Sequence, residues 1–94
     1  MSVHAVVLIQ CEIDEISEAA EAIAEIGGVS EVYSVAGEFD LVAIVRVPRH
    51  DDLAKVIPGG IAKVAGVERT ETLIAFQVYS RHDLERLFAI GFES

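Results

Sequence analysis

The 94-residue chain has no tryptophan, one cysteine, one methionine and two prolines. The single thiol, Cys11, excludes an intramolecular disulfide and any multi-cysteine metal site, and it fits a reducing, cytoplasmic setting. Basic residues are missing from the first half: Met1 to Val45 carries nine Asp and Glu and no Lys or Arg. Duplex binding rests on neutralising phosphates with Lys and Arg, so this half would repel DNA, and the same argument counts against an anionic membrane surface. No apolar run approaches the ~20 residues of a membrane span, and the N-terminus lacks the basic segment of a secretory signal. The phosphate- and dinucleotide-binding glycine motifs and the G-x-S-x-G nucleophile motif are absent as well.

What the chain does have is a high apolar content, 52%, against 24% charged residues and a net charge of −9. That composition excludes a disordered chain, and the length allows one domain. A chain of this size buries only ~60% of the surface it exposes when unfolded. Part of its apolar surface is therefore expected to be covered by another copy.

The periodicities give an order of elements. Val3 to Ile9 reads as a strand, dominated by β-branched residues. Ile16, Ala19, Ala20, Ile23 and Ile26 recur at helical spacing, with Glu15, Glu18, Glu21 and Glu25 on the opposite face. Asp14 is the expected N-cap and Gly27-Gly28 the stop. Val29 to Ala36 is a second strand, Gly37 to Asp40 a tight turn, and Phe39 or Leu41 to Val47 a third strand, ended by Pro48. Asp51 or Asp52 should cap a second helix presenting Leu53, Val56, Ile57, Ile61 and Val64, kinked or broken at Pro58-Gly59-Gly60. Val67 to Tyr79 is a fourth strand. A short terminal helix from Ser80, with Leu84, Leu87 and Phe88 on one side, completes the chain. Ile26-Gly27-Gly28-Val29 and Val64-Ala65-Gly66-Val67 echo each other as helix end, glycine and strand start, as two βαβ halves would. The expected fold is α+β and ferredoxin-like: a βαββαβ unit with a four-stranded antiparallel sheet and both helices on one face, plus the C-terminal helix.

In such a fold one sheet face would be wet in a monomer, and its strands should alternate apolar and polar. They do not. Phe39, Leu41, Ala43, Val45 and Val47 lie on one face of the third strand and Val42 and Ile44 on the other. Val3, Ala5, Val7 and Ile9 likewise oppose Val6 and Leu8. Helices cover one face only, so the second needs a partner, most simply a second copy of the sheet in a dimeric α+β barrel or sandwich.

Candidate chemistry is sparse. His4, His50 and His82 show no metal spacing with one another, and His50-Asp51-Asp52 is better explained as a helix start than as a cation site. Cys11 follows a strand next to Glu12, whose charge should make it a poor nucleophile. No catalytic set assembles and no cofactor is expected. Two segments stand out. Gly37 permits positive φ and leaves turn N–H groups open, and Asp40 places a carboxylate at the head of an apolar strand, where it either meets a ligand or fastens the turn. Thr70 and Thr72 offer two hydroxyls on one side of the fourth strand, or are ordinary β-branched strand residues.

The hairpin Val32-Tyr33-Ser34-Val35-Ala36-Gly37-Glu38-Phe39-Asp40-Leu41, the Val47-Pro48 pair before a helix with Leu53, and Gly66-Val67-Glu68-Arg69-Thr70-Glu71-Thr72 together resemble the effector-binding (RAM) domain of the Lrp/AsnC transcription regulators. The likeness covers about residues 3 to 79, with 80 to 94 as a helical tail. The resemblance implies a βαββαβ domain that dimerises through its sheets and assembles further, often to octamers. It also implies amino-acid effectors bound in clefts between dimers, lined by the glycine–aspartate hairpin and by neighbouring subunits. Carried onto this chain, the expected ligand residues are Tyr33, Gly37, Phe39, Asp40, Thr70 and Thr72.

Two departures bear on function. The family's regulators carry an N-terminal helix-turn-helix, whereas this sequence begins at the effector domain. The expectation is a stand-alone form that modulates full-length regulators by mixed assembly, without DNA or membrane contacts of its own. Ala36 stands where members often have Thr before the turn glycine, which removes a hydroxyl from the pocket rim. Two alternatives come from the topology alone: an ACT-type amino-acid-binding module of a metabolic enzyme, and a small dimeric α+β-barrel oxygenase. The latter calls for a His or Asn/Trp/Phe set facing the sheet, which the chain lacks.

Overall fold

The first strand, β1 (Val3–Cys11), alternates strictly in the computed structural model, which describes residues 2–79. Ala5, Val7, Ile9 and Cys11 are buried, while His4, Val6, Leu8 and Gln10 between them are half-buried. This is the two-residue period of a strand packed hard on one face. A single 3-10 turn (Ile13–Glu15) leads into α1 (Ile16–Ala24), which buries Ala19 and Ile23. β2 (Val29–Ser34) and β3 (Leu41–Val47) follow, then the short helix α2 (Asp52–Val56), a 3-10 turn (Ile61–Lys63) and β4 (Val67–Ile74).

The sheet order is β2-β3-β1-β4, and every neighbouring pair is antiparallel. Val7 pairs with Ala43 on one side and with Thr72 on the other. One face therefore carries Ala5, Val7 and Ile9 with Leu41, Ala43 and Val45, and with Thr70, Thr72 and Ile74 at the β4 edge. On that face the core of β1 and β3 closes with Ala19, Ile23, Leu53, Val56, Ile57 and Ile61. The fold is the ferredoxin-like arrangement expected from the sequence. The opposite face presents Val6, Leu8, Val42 and Ile44, all half-buried, flanked by exposed Tyr33 and Leu73. Among the described residues no layer covers it.

The internal echo is a structural equivalence. Gly28 and Gly66 both have positive φ (100° and 92°), a conformation that strains any residue with a Cβ. The Gly28 carbonyl accepts the Arg46 N–H from the end of β3, and the Gly66 carbonyl accepts the Glu12 N–H just past β1, each at 2.8 Å. A Cβ on Gly28 would lie 2.7 Å from Val56 Cγ2, and one on Gly66 2.6 Å from Glu15 Oε2. Each helix-end glycine thus docks on the other βαβ half.

The element ends differ from expectation for identifiable reasons. β2 stops at Ser34 rather than Ala36: the Val35 N–H still reaches the Asp40 carbonyl (3.0 Å), but the Asp40 N–H donates to the Ile9 carbonyl and not back to Val35. β4 stops at Ile74 rather than Tyr79. The Ala75 N–H reaches the His4 carbonyl, and β1 starts at Val3, so only one more of its positions lies alongside. α2 ends at Val56 and does not run on to Val64. Pro58-Gly59-Gly60 folds tightly against it, and a Cβ on Gly60 would lie 2.6 Å from the Val56 carbonyl. Neither Asp14 nor Asp51 caps through its side chain: Asp14 lies inside the 3-10 turn, and it is the Asp52 carboxylate that accepts the Arg49 N–H, at 3.1 Å. The helix expected from Ser80 lies outside the described residues.

Candidate functional site

The connection between β2 and β3, residues 35–40, is held by Asp40 through three bonds. Its N–H donates to the Ile9 carbonyl (2.9 Å), its carbonyl accepts from Val35, and its carboxylate Oδ2 accepts the Cys11 N–H at 2.8 Å. The last bond has a clear origin. The β1–β3 ladder ends at Ile9↔Leu41, and the β1–β4 register slips between Gln10 and Cys11. The Cys11 N–H lies beyond the ladder's end, where an unpaired, partly buried donor is costly, and the Asp40 side chain supplies the acceptor. Gly37 sits at φ 146°, and a Cβ there would meet nothing within 4 Å. The turn's backbone is open to approach.

Three further contacts tie the turn down. The Arg69 guanidinium stacks 5.2 Å from the centre of the Phe39 ring, its Nη2 lies 3.8 Å from Glu38 Oε1, and Gln10 Nε2 donates to the Glu38 carbonyl at 3.3 Å. The Arg69–Glu38 pair is mostly exposed, so it orients more than it stabilises; the cation–π contact adds to it. Arg69 and Gln10 are absent from the residues singled out in the sequence. Arg69 was visible as the one cation inside the Gly66–Thr72 segment, but its partners lie about thirty residues upstream, and no spacing rule links them.

Tyr33 lies on the uncovered sheet face opposite Val42. Its hydroxyl donates to Glu31 Oε2 (2.6 Å), and that bond, reinforced by the Glu31 charge, pushes the phenol's pKa above its ordinary value. Thr70 and Thr72 pair with Ile9 and Val7 and share their helix-facing side. Thr72 lines an open cavity of about 480 Å³ between β4 and the α2 region, with His50, Asp51, Leu53, Ala54, Ile57, Pro58 and Ile74. The expected ligand residues thus fall into three places within one chain. Gly37, Phe39 and Asp40 gather at one end of the sheet with Gln10 and Arg69. Tyr33 faces out from the uncovered sheet surface. Thr70 and Thr72 face the helix side, Thr70 across Ile9 from Asp40.

Cys11 is buried, and burial first, then the charges of Asp40 and Glu68, raise its pKa. The thiol is protonated and inert at neutral pH. The direction agrees with expectation, but the principal cause is burial rather than Glu12. Among the described residues no three His, Cys, Asp or Glu come close enough to hold a metal, and no helix is long and apolar enough to cross a membrane.

Comparison with known proteins bears on this geometry. A family model described as the Lrp/AsnC ligand-binding domain matches residues 4–84. The chain belongs to the Lrp/AsnC family. It is 39% identical over 59 residues to the uncharacterised HTH-type transcriptional regulator PH1916 of Pyrococcus horikoshii, covering 63% of this chain and 39% of the regulator. The chain therefore spans about two-fifths of the length of that relative. The crystal structure of TTHA0845 from Thermus thermophilus superposes with a TM-score of 0.80 at 48% identity, covering 84% of this chain and 99% of that one. The feast or famine regulatory protein Rv3291c of Mycobacterium tuberculosis, solved in complex with L-methionine, gives a TM-score of 0.70 at 31% identity and covers 84% of this chain and 54% of its own. The two solved structures share this fold, and the family model describes the domain as ligand-binding.

Proposed function

We propose that this Lrp/AsnC domain is a cytoplasmic, non-catalytic amino-acid sensor that self-associates through the uncovered face of its sheet. In this reading it binds its effector between the turn of one copy and β4 of another, and acts on transcription through mixed assembly with full-length regulators. The observation that carries the reading is the split of the ligand residues. Gly37, Phe39 and Asp40 lie at one end of the sheet while Thr72 faces the helix side, so a complete site calls for two copies. An α-amino acid presents an ammonium and a carboxylate. Asp40 retains Oδ1 for the ammonium, since a carboxylate accepts about four hydrogen bonds and the Cys11 N–H occupies one position on Oδ2. The open N–H groups around Gly37 and the threonine hydroxyls suit the ligand carboxylate. The uncovered surface of Val6, Leu8, Val42 and Ile44, rimmed by Tyr33 and Leu73, has the apolar centre expected of an interface.

Several observations support the regulatory part. Relatives named as transcriptional regulators match the chain, and Rv3291c was crystallised with an amino acid. TTHA0845, matched over 99% of its length, is a solved chain of about this domain's extent. The test is a thermal-shift screen of the twenty amino acids with particle size recorded alongside, followed by calorimetry on Asp40→Asn. A charge-assisted bond contributes ~1.5–3 kcal/mol, so that variant should bind the effector roughly ten- to a hundredfold more weakly. Capture of a helix-turn-helix regulator by the tagged protein supports mixed assembly, whereas capture of a metabolic enzyme supports an ACT-like role. Equal binding by Asp40→Asn removes the site assignment. No binding at millimolar concentration removes the sensor reading.

A further inference from the structure

The helix-facing side of β4 is left open because α2 is short. α1 runs for nine residues, but α2 runs for five before the Pro58-Gly59-Gly60 segment. Thr72 and Ile74 stay exposed there, and with Leu53, Ala54, Ile57 and Pro58 they line the cavity of about 480 Å³. Past Ile74 the chain keeps presenting apolar groups to solvent: Phe76 is 103% exposed, Val78 45% and Tyr79 76%. A contiguous apolar strip of this kind marks a surface that something covers. The next residues, 80–94, carry Leu84, Leu87, Phe88, Ile90 and Phe92, the first three at helical spacing. The Lrp/AsnC family model reaches only to residue 84, and 84% of this chain already covers 99% of TTHA0845. The apolar residues from Leu87 onward are therefore an addition to the shared domain.

We propose that residues 80–94 dock on their own chain as a helix that covers the apolar strip after β4 and closes the cavity between β4 and α2. The lengths agree. A helix advances ~1.5 Å per residue and an extended chain ~3.3 Å. A helix that starts at Ser80 and runs back along 75–79 thus brings Leu84, ~6 Å in, beside Val78. Phe88, ~12 Å in, comes beside Phe76, and Phe92, ~18 Å in, reaches Ile74 at the cavity's edge. Leu84 and Phe88 are four positions apart and share a helix face, and Gly91 lets the helix end before Phe92. The occupant is the chain's own segment because of the short connection. A linker of this kind holds it at millimolar effective concentration, about a thousandfold above a second copy at micromolar protein. The contact is autoinhibitory, since Thr72 is closed to a ligand while it holds. The docking stands apart from the sensor reading; only the role of Thr72 as a ligand contact rests on that reading.

The full chain has no tryptophan, so Phe92→Trp supplies a single fluorescent reporter. Its native emission should lie to the blue of its emission in urea, and a native spectrum equal to the unfolded one overturns the docking. Ala54 is exposed on α2 and lines the cavity. Ala54→Glu puts a charge where Phe92 docks and should move the native emission to the red; unchanged emission overturns the cavity as the docking place. A second measurement does not depend on that variant. In a chain carrying Ala54→Cys and Phe92→Cys, oxidised glutathione should give a disulfide within one chain at micromolar protein, and the buried Cys11 does not compete. A crosslink formed only between chains assigns the cavity to a second copy and overturns the proposal, as does the absence of any crosslink. Calorimetry with each of the twenty amino acids tests the autoinhibition. Phe88→Glu releases the segment and should bind any amino acid that wild type binds several-fold more tightly; equal or weaker binding overturns the closure of Thr72. No binding by wild type or variant overturns the sensor reading alone, and the emission and the crosslink then decide the docking.

Discussion

Asp40 is the residue on which two explanations of the turn diverge, and its stabilising role can be separated from a ligand role by measurement. Its Oδ2 accepts the partly buried Cys11 N–H at 2.8 Å, beyond the point where the β1–β3 ladder ends. Asp40→Ala leaves that donor without its partner, which costs about 1–3 kcal/mol. Asp40→Asn keeps an oxygen acceptor and loses only the charge assistance, a difference of about 1 kcal/mol between charged and neutral bonds. For a domain of this size each kcal/mol moves the melting temperature by about 4–8 °C. Asp40→Ala should therefore melt roughly 10 °C below wild type, with Asp40→Asn about half as far down. The melts belong at one fixed protein concentration, since assembly raises the apparent stability by mass action. Hydrogen exchange gives the local readout: the Cys11 amide should lose protection in Asp40→Ala while amides in the middle of β1, such as Val7, keep theirs. A variant melting within about 1 °C of wild type with the Cys11 amide still protected would refute the fastening role. Loss of amino-acid binding in Asp40→Asn beyond what its modest destabilisation accounts for is then a separate, ligand-contact effect.

The two sheet faces should answer differently to charge. Val45→Lys, at a fully buried position, should unfold the domain because it strands an ammonium in the core, while Ile44→Lys should give a folded species of smaller size by sedimentation; a folded Val45→Lys would contradict the packing. Gly66→Ala combines positive φ with a Cβ 2.8 Å from Glu15 Cβ and should cost roughly 2 kcal/mol in urea unfolding, against little change for Gly27→Ala, whose Cβ would meet nothing within 4 Å. Cys11, with its pKa raised by burial, favours folding fully below the ordinary thiol value of ~8.5, and that contribution is lost as pH climbs through the raised folded-state value. Urea midpoints should accordingly fall more steeply above pH ~8.5 in wild type than in Cys11→Ala, and a thiol reagent should label native Cys11 far more slowly than the unfolded chain. A retardation assay should show no tight, salt-sensitive binding of duplex DNA by this chain, given nine acidic and no basic residues through Val45.

The fold was legible because it is written in local periods. The alternation in Val3–Ile9 and Leu41–Val47 and the helical spacing of Ile16, Ala19 and Ile23 are each set by a few neighbouring residues. The paired glycines at 28 and 66 then gave the two-half topology. The strand ends were not legible, since β2 and β4 stop where a partner's ladder runs out, and that depends on residues far along the chain. Gly37 and Asp40 were recognisable as special because glycine and a lone carboxylate are rare choices at the head of an apolar strand. Their contacts were not: the acceptor that Cys11 needs is 29 positions away, and Arg69 meets Phe39 only because β1 lies between β3 and β4 in the sheet. The cavity was illegible for a similar reason. Pro58 announced a break in the second helix, but the open space depends on which strand the missing turn would have covered.

The two halves of the chain repeat the same βαβ plan with unequal helices, and the inequality matters more for function than the repeat. Where α1 packs on the sheet, Ala19 and Ile23 close the core completely. Where α2 and the 3-10 turn after it pack, Leu53, Val56, Ile57 and Ile61 close it, while among the described residues Thr72 and Ile74 stay exposed on β4. On the other side of the same sheet, Val6, Leu8, Val42 and Ile44 lack a covering layer among the described residues. In the proposed reading, a ligand spanning the turn of one copy and β4 of another adds its binding energy to the assembled state alone. At a hundredfold excess over its Kd that addition is about 2.7 kcal/mol, about a hundredfold shift in the assembly equilibrium. On that reading, effector concentration and oligomer size are two readings of one equilibrium, and titrating the effector should shift the sedimentation profile.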